Sequence, residues 1–280
     1  MNYLEAINYG NAILNKNNIQ NCGLDTELLL AKALGNNREK ILINLNKKIE
    51  NKFLNKFIKL ISRRKKNEPI AYILQKKEFW KNNFFINKDV LIPRPETELV
   101  IEETLKFVDI NESKSFLDVG TGSGNITISL LKERLNLRAT ALDISRKAIK
   151  IAKFNAKMHH LENKINFLNI DIDKFNYNKY DFIVSNPPYI KELNLKNLED
   201  NVRLFEPHLA LKAGMDGFRE IKKIIKKSRT LLKKNGKLVL EIGNKQDTLT
   251  KHLLTKNGYQ INKIRKDFNS IPRVIVSTML

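Results

Sequence analysis

Residues Val184 to Ile190 read VSNPPYI: an apolar strand runs into an amide, two prolines and a tyrosine. The Asn186 amide places one acceptor and a pair of donors in a plane. That complements a flat group presenting N–H beside an acceptor, such as a carboxamide or the amino edge of adenine. Pro187 and Pro188 fix the backbone and bring no N–H, so nearby carbonyls can face a donor. They also force an extended turn that holds Asn186 rigidly, and Tyr189 is suited to stack on the flat group. The four residues define a slot for an NH₂ group.

A second constellation lies upstream, in FLDVGTGSGN. Gly120, Gly122 and Gly124 allow a sharp turn and let a ligand touch the backbone. With Thr121 and Ser123 they form a candidate cofactor cradle. Asp143 ends the next strand nineteen residues after Gly124, where an acid can accept both hydroxyls of a ribose. The third glycine of a dinucleotide fingerprint is displaced by one residue, with Asn125 in its place, and the Gly-Lys-Ser/Thr of a phosphate loop is absent. Asp118 beside the loop would repel a pyrophosphate but suits a cationic ligand such as a methionine α-ammonium. The D-x-G-x-G-x-G pattern resembles that of S-adenosylmethionine-dependent methyltransferases. Asp171, at the end of INFLNID, either meets the adenine amino group or is satisfied by a nearby backbone donor.

The two constellations combine into one chemistry. A carboxamide or aromatic amine nitrogen is a poor nucleophile because its lone pair is delocalised. Holding both N–H bonds on fixed acceptors turns that pair toward a sulfonium methyl, with no base needed before transfer. Seven segments, EPIAYI, EFW, LIPRPETELV, LDVGTGSG, FEPHLAL, GMDG and LEIG, spread from Glu68 to Gly243. Together with NPPY they resemble the PrmC/HemK family, which methylates the glutamine of the Gly-Gly-Gln loop in peptide chain release factors. The resemblance covers nearly the whole chain. It implies cofactor positions at Gly120 to Gly124, Asp143 and Asn186, and glutamine-binding positions at Asn186, Pro187, Pro188 and Tyr189. It also implies that the residue after Asp171 flanks the adenine. There Ile172 replaces the aromatic residue frequent in the family, leaving an apolar wall. The alternative reading is an N6-adenine methyltransferase of DNA or RNA.

The elements that must position these residues follow from patterning. Residues 1–77 read as a small helical domain, expected to recognise substrate. DTELLLAKALG carries Asp25 as a cap and Gly35 at its end. NKFLNKFIKLISRRKK sets Leu54, Phe57, Ile58 and Ile61 on one face. Residues 78–93 read as a hairpin linker with its turn at Asn82-Asn83. Residues 94–280 alternate apolar strands with amphipathic helices, the mark of a largely parallel sheet covered on both faces: a Rossmann-like class I methyltransferase domain. YQINKIRKDF and RVIVSTML add two strands, antiparallel at an edge.

Composition narrows the function classes. Cys22 is the only cysteine, so no internal disulfide is possible, and no apolar run approaches a membrane span. A secretion signal is not apparent at the start of the sequence, and a cytoplasmic, monomeric protein is expected. The formal charge is +21, which would suit an anionic partner. Yet only 12 of the 51 basic residues are Arg, and the Lys, Asn and Ile richness matches A/T-rich codons. Nucleic acid is therefore not expected as the substrate. His159-His160 lacks further ligand spacing, so no metal site is expected. Trp80 is expected to pack in the hairpin and His208 to lie in a loop near the slot.

Overall fold

The computed structural model describes residues 1–280 as two units: Met1–Lys76 with Glu199–Phe205, and Lys77–Leu198 with Glu206–Leu280. The first contains α1 (Tyr3–Lys16), α2 (Cys22–Leu34), α3 (Arg38–Leu42), α4 (Asn51–Arg64) and α5 (Ile70–Leu74). Helix α1 starts on a reciprocal capping box: Glu5 N–H donates to Asn2 Oδ1, and Asn2 N–H to Glu5 Oε2. Gly10 permits a close crossing, since a Cβ there would lie 2.5 Å from Thr26 Cγ2. Gly35 closes α2 in the left-handed conformation, as predicted.

Two local expectations are corrected. Asp25 is inside the first turn of α2 rather than its cap, and is buried against Arg64 at 2.6 Å. A carboxylate on an apolar face demands a partner, and α4 supplies one. On α4 the buried residues are Phe57, Leu60 and Ile61, while Ile58 is 38% exposed.

The second unit begins with the hairpin of β1 (Lys77–Phe79) and β2 (Asn82–Phe84). Its turn is at Trp80-Lys81, both at positive φ, and not at Asn82-Asn83. Distant partners hold this unusual backbone. Trp80 N–H donates to Glu98 Oε1, its indole N–H to Glu133 Oε1, and Lys81 Nζ pairs with the same Glu133 oxygen. After α6 (Glu98–Leu105) come β3 (Ser115–Val119), α7 (Asn125–Glu133), β4 (Arg138–Asp143), α8 (Arg146–Met158), β5 (Ile165–Asn169) and β6 (Tyr180–Ser185). The short helix α9 (Asp200–Phe205) belongs to the first unit. The second unit resumes with α10 (Arg219–Leu231), β7 (Leu232–Glu241), α11 (Asp247–Lys256), β8 (Tyr259–Lys266) and β9 (Pro272–Met279).

The sheet order is β5-β4-β3-β6-β7-β9-β8. The first five strands are parallel, β9 runs antiparallel to both of its neighbours, and β8 points the same way as the five. β3, β6 and β7 read as apolar runs because helices cover both faces. The expected antiparallel pair is present, with β9 inserted between β7 and β8. The chain winds outward from β3 through β4 to β5, then returns to β6 on the other side. That reversal is where open α/β sheets bind ligands.

Candidate active site

Three segments meet at this reversal, each leaving the carboxyl end of a strand. The first is the loop from β3 to α7. Gly120 N–H and Thr121 N–H both donate to Leu142 O at 2.9 Å, folding the loop against β4. Gly120 lies at φ +75°, where a Cβ would meet no atom within 4 Å, so the backbone is open on that side. Gly124, at φ +81°, opens α7 and touches α8: a Cβ would lie 3.2 Å from Ile128 Cδ1 and 3.3 Å from Ala152 Cβ.

Asp118 braces this loop from beneath. It is fully buried, and its Oδ2 accepts from Thr121 Oγ1 at 2.8 Å and Thr127 Oγ1 at 2.6 Å. Burial pushes its pKa up to about 6, against the pull of the two threonine hydroxyls. The carboxylate does not line the cavity described below; it organises the loop, where an α-ammonium contact was expected. Asn155 of α8 adds a second brace. Its side-chain amide donates to Ser123 O and Phe85 O and accepts from Phe85 N–H.

The second segment is the end of β4. Asp143 Oδ2 accepts from Gly122 N–H at 2.9 Å, and Oδ1 accepts from Ser145 N–H at 2.8 Å. Burial raises its pKa despite these two donors. A carboxylate has about four lone-pair sites, so each oxygen keeps one for a diol. The third segment is the end of β6, where Asn186 Nδ2 donates to Thr97 Oγ1 at 3.0 Å.

A cavity joins all three. Gly120, Gly122, Asp143, Asp171, Ile172, Asn186, Pro187 and Pro188 all line it. Ile172 is buried and supplies apolar wall. Asp171 accepts from Asp173 N–H at 2.9 Å and pairs with Lys223 at 3.1 Å. Burial works to raise its pKa, but these donors hold it below the ordinary value. Thr121, Ser123 and Gly124 stand behind the lining and shape the loop. Tyr189 also stands outside the lining. Its ring packs on Gly243, where a Cβ would meet Tyr189 Cδ2 at 2.9 Å, and burial pushes its hydroxyl up to about 12.

Three further residues gave no isolated signal in the sequence. Glu206, buried, pairs with Arg94 and accepts from Ile92 N–H. This joins the IPRPE segment to FEPH and accounts for Arg94. Thr97, which accepts from Asn186, and Glu241, which ends the strand paired with the one before Asn186, are both buried. Glu241 could have been noticed as an acid closing the short apolar run Leu238–Leu240 at the carboxyl end of its strand.

These features fit S-adenosylmethionine by donor chemistry. An open glycine backbone, a carboxylate with spare lone pairs and an apolar wall surround one cavity at the sheet's switch point. Comparison with known proteins agrees with the fold. Residues 110–272 match the methyltransferase domain family and residues 5–74 the PrmC N-terminal domain family. A methyltransferase from Pyrococcus furiosus superposes with a TM-score of 0.52 at 16% identity, over 70% of this chain and 87% of that one. The fold and the matched domain define the class: a methyltransferase.

Curated relatives narrow it. A release factor glutamine methyltransferase of Coxiella burnetii is 39% identical, with 91% of each chain covered. The protein of that name from Clostridium acetobutylicum is 35% identical over 90% of each. A bifunctional methyltransferase of Rickettsia typhi is 37% identical over 97% of this chain. The chain spans only 56% of that protein's length. The chain belongs to the release factor glutamine methyltransferase family.

Proposed function

We propose that this protein transfers a methyl group from S-adenosylmethionine to the side-chain amide nitrogen of the glutamine in the Gly-Gly-Gln motif of peptide chain release factors. The observation that carries the proposal is the meeting of Asn186, Pro187 and Pro188 with Gly120 and Asp143 around one cavity. S-adenosylmethionine, when bound, supplies an electrophilic carbon on a sulfonium.

The chain's own residues perform the rest. The glycine loop and Asp143 hold the nucleoside and amino-acid portions, and Ile172 walls the adenine. Asn186 accepts one N–H of the substrate amide through Oδ1, and the proline pair offers carbonyls without competing donors. With both N–H bonds held in the slot, the nitrogen lone pair points along the line of displacement. Such alignment contributes about 7–11 kcal/mol in favourable systems. Tyr189 supports the slot through its packing on Gly243. The protein acts in the cytoplasm as a monomer, on protein rather than nucleic acid. No helix is long and apolar enough to cross a membrane.

The test is a methyl-transfer assay offering release factor, RNA and DNA side by side to wild type and Asn186→Ala. Release factor is labelled by wild type. The variant loses transfer while its affinity for S-adenosylhomocysteine stays within about threefold, because Asn186 supplies one hydrogen bond among many contacts. Preferential labelling of nucleic acid would replace this reading with the N6-adenine one.

A further inference from the structure

Pro187 and Pro188 bring no N–H, so this part of the slot cannot be tied to its neighbours by backbone donors of its own. Its backbone must nevertheless hold still if a substrate nitrogen is to be aimed. The anchorage has to come from the exit of the turn, at Tyr189.

That exit is held from several sides. The Tyr189 ring lies on Gly243, and the Tyr189 carbonyl accepts from Gln246 Nε2 at 3.4 Å. The next residue bridges to the chain ahead of α10: Ile190 N–H donates to Leu211 O at 3.1 Å, and Ala213 N–H to Ile190 O at 2.9 Å. Gln246 is buried immediately before α11. Its own carbonyl accepts from Thr250 N–H and Thr250 Oγ1, so the side chain starts from a fixed point.

Each end of the Gln246 amide meets partners that act in one sense only. Oε1 accepts from Gly243 N–H at 2.8 Å, and Nε2 donates to Gly217 O at 2.8 Å as well as to Tyr189 O. A backbone N–H only donates and a carbonyl only accepts. Turning the amide over would oppose donor to donor and one oxygen to two others, so its orientation is fixed. One side chain thus joins three loops: those after β6 and β7, and the turn Gly214–Gly217 ahead of α10. The packing between them is close. A Cβ on Gly217 would lie 3.0 Å from Tyr189 O and 3.3 Å from Gln246 Nε2, and one on Gly243 would lie 3.0 Å from Gln246 Oε1.

We infer that Gln246 is a positioning residue that clamps the Tyr189 carbonyl and so fixes the Pro187–Pro188 wall of the slot for the proposed reaction. This rests on the methyl-transfer reading above. Gln246, Gly217, Gly243 and Tyr189 all stand outside the cavity lining, whereas Pro187 and Pro188 belong to it. The clamp therefore acts on the shape of the slot and touches no cofactor contact.

The test uses the full chain, a purified release factor as substrate and S-adenosylhomocysteine as the binding probe, with kcat expressed per binding site for that probe. Gln246→Ala lowers kcat about 10- to 100-fold, the loss expected when reacting groups are displaced by up to about 1 Å. KM for release factor and affinity for S-adenosylhomocysteine each change less than about threefold, because transition-state alignment is lost while ground-state contacts remain. Gln246→Glu at pH 9 keeps an acceptor for Gly243 N–H but, ionised, has nothing to donate. It loses kcat as the alanine variant does, whereas a residue that merely shaped the loop after β7 would be restored by it. Gly217→Ala presses on the same carbonyl and lowers kcat about 10-fold. Combined with Gln246→Ala it loses less than the product of the two, because both act on one contact. It carries the test alone if neither Gln246 variant folds. Wild-type kcat in any of the three single variants, losses that multiply in the double variant, or a fall in S-adenosylhomocysteine affinity matching the fall in kcat would overturn the inference. An inactive Asn186→Ala beside a fully active Gln246→Ala removes the clamp and leaves the methyl-transfer reading intact. An active Asn186→Ala removes both.

Discussion

Replacing Asp118 by Asn tests the electrostatics beneath the glycine loop with a magnitude fixed by the structure. The carboxyl is fully buried, and its pKa stands at about 6 where the ordinary value is 3.8. A raised carboxyl pKa means that the folded state prefers the protonated form. Its stabilising contribution is complete below pH 3.8 and is lost as pH rises through about 6. At about 1.4 kcal/mol per pKa unit, ionised Asp118 costs roughly 3 kcal/mol of stability at pH 8 and roughly 1.6 kcal/mol at pH 5. An asparagine in its place does not titrate. Its oxygen still accepts from Thr121 and Thr127, and its NH₂ replaces an Oδ1 that already has no partner. The unpartnered NH₂ adds a cost of about 1–3 kcal/mol at both pH values. The signature is therefore the difference. Asp118→Asn gains about 1.4 kcal/mol on wild type between pH 5 and pH 8. Urea unfolding followed by fluorescence measures it, because Trp80, the only tryptophan, lies in the same unit as Asp118. A stability difference that is identical at the two pH values, or that moves the other way, refutes the argument.

Two glycines of the loop should fail in opposite ways. Gly124→Ala crowds Ile128 and Ala152 at positive φ and costs about 2–4 kcal/mol of stability, read by urea denaturation. Gly120→Ala meets no protein atom, so only backbone strain of about 1–2 kcal/mol appears in stability. Its calorimetric affinity for S-adenosylhomocysteine falls more than about tenfold, because the loop backbone loses the close approach that glycine permits. Asn155→Ala leaves Phe85 N–H, Phe85 O and Ser123 O without their partner. It costs about 2–4 kcal/mol, and a loss under about 1 kcal/mol would show that Asn155 does not brace the loop.

Much of the fold and site was legible because local patterns carried it. Strand and helix alternate with clear periods from Ser115 to Glu241, and Gly120, Asp143 and Asn186 each end or follow an apolar strand on one rim. What escaped depended on distant partners. The hairpin turns at Trp80-Lys81 because Glu98 and Glu133 hold it there, and no local rule places positive φ on Trp and Lys. Asp25 resembles a cap until Arg64, 39 residues away, is seen against it. The sequence leaves Asp171 between a ligand contact and a backbone donor; Asp173 N–H is such a donor, and Lys223 from α10, which no local pattern announces, reaches it as well. Thr97 is separated from Asn186 by 89 residues, so its approach is a property of topology alone.

The insertion of β9 between β7 and β8 decides where the polypeptide leaves the sheet. Glu241, at the carboxyl end of β7, is opposite Val274, whereas Lys237, nearer the amino end, is opposite Thr278. The last strand thus travels away from the cavity. Any polypeptide or affinity tag fused beyond Leu280 departs from the far edge and leaves the cavity mouth clear. Deleting residues 272–279 would instead strip β7 of its neighbour and turn the strand bearing Glu241 into a sheet edge open to pairing with other chains.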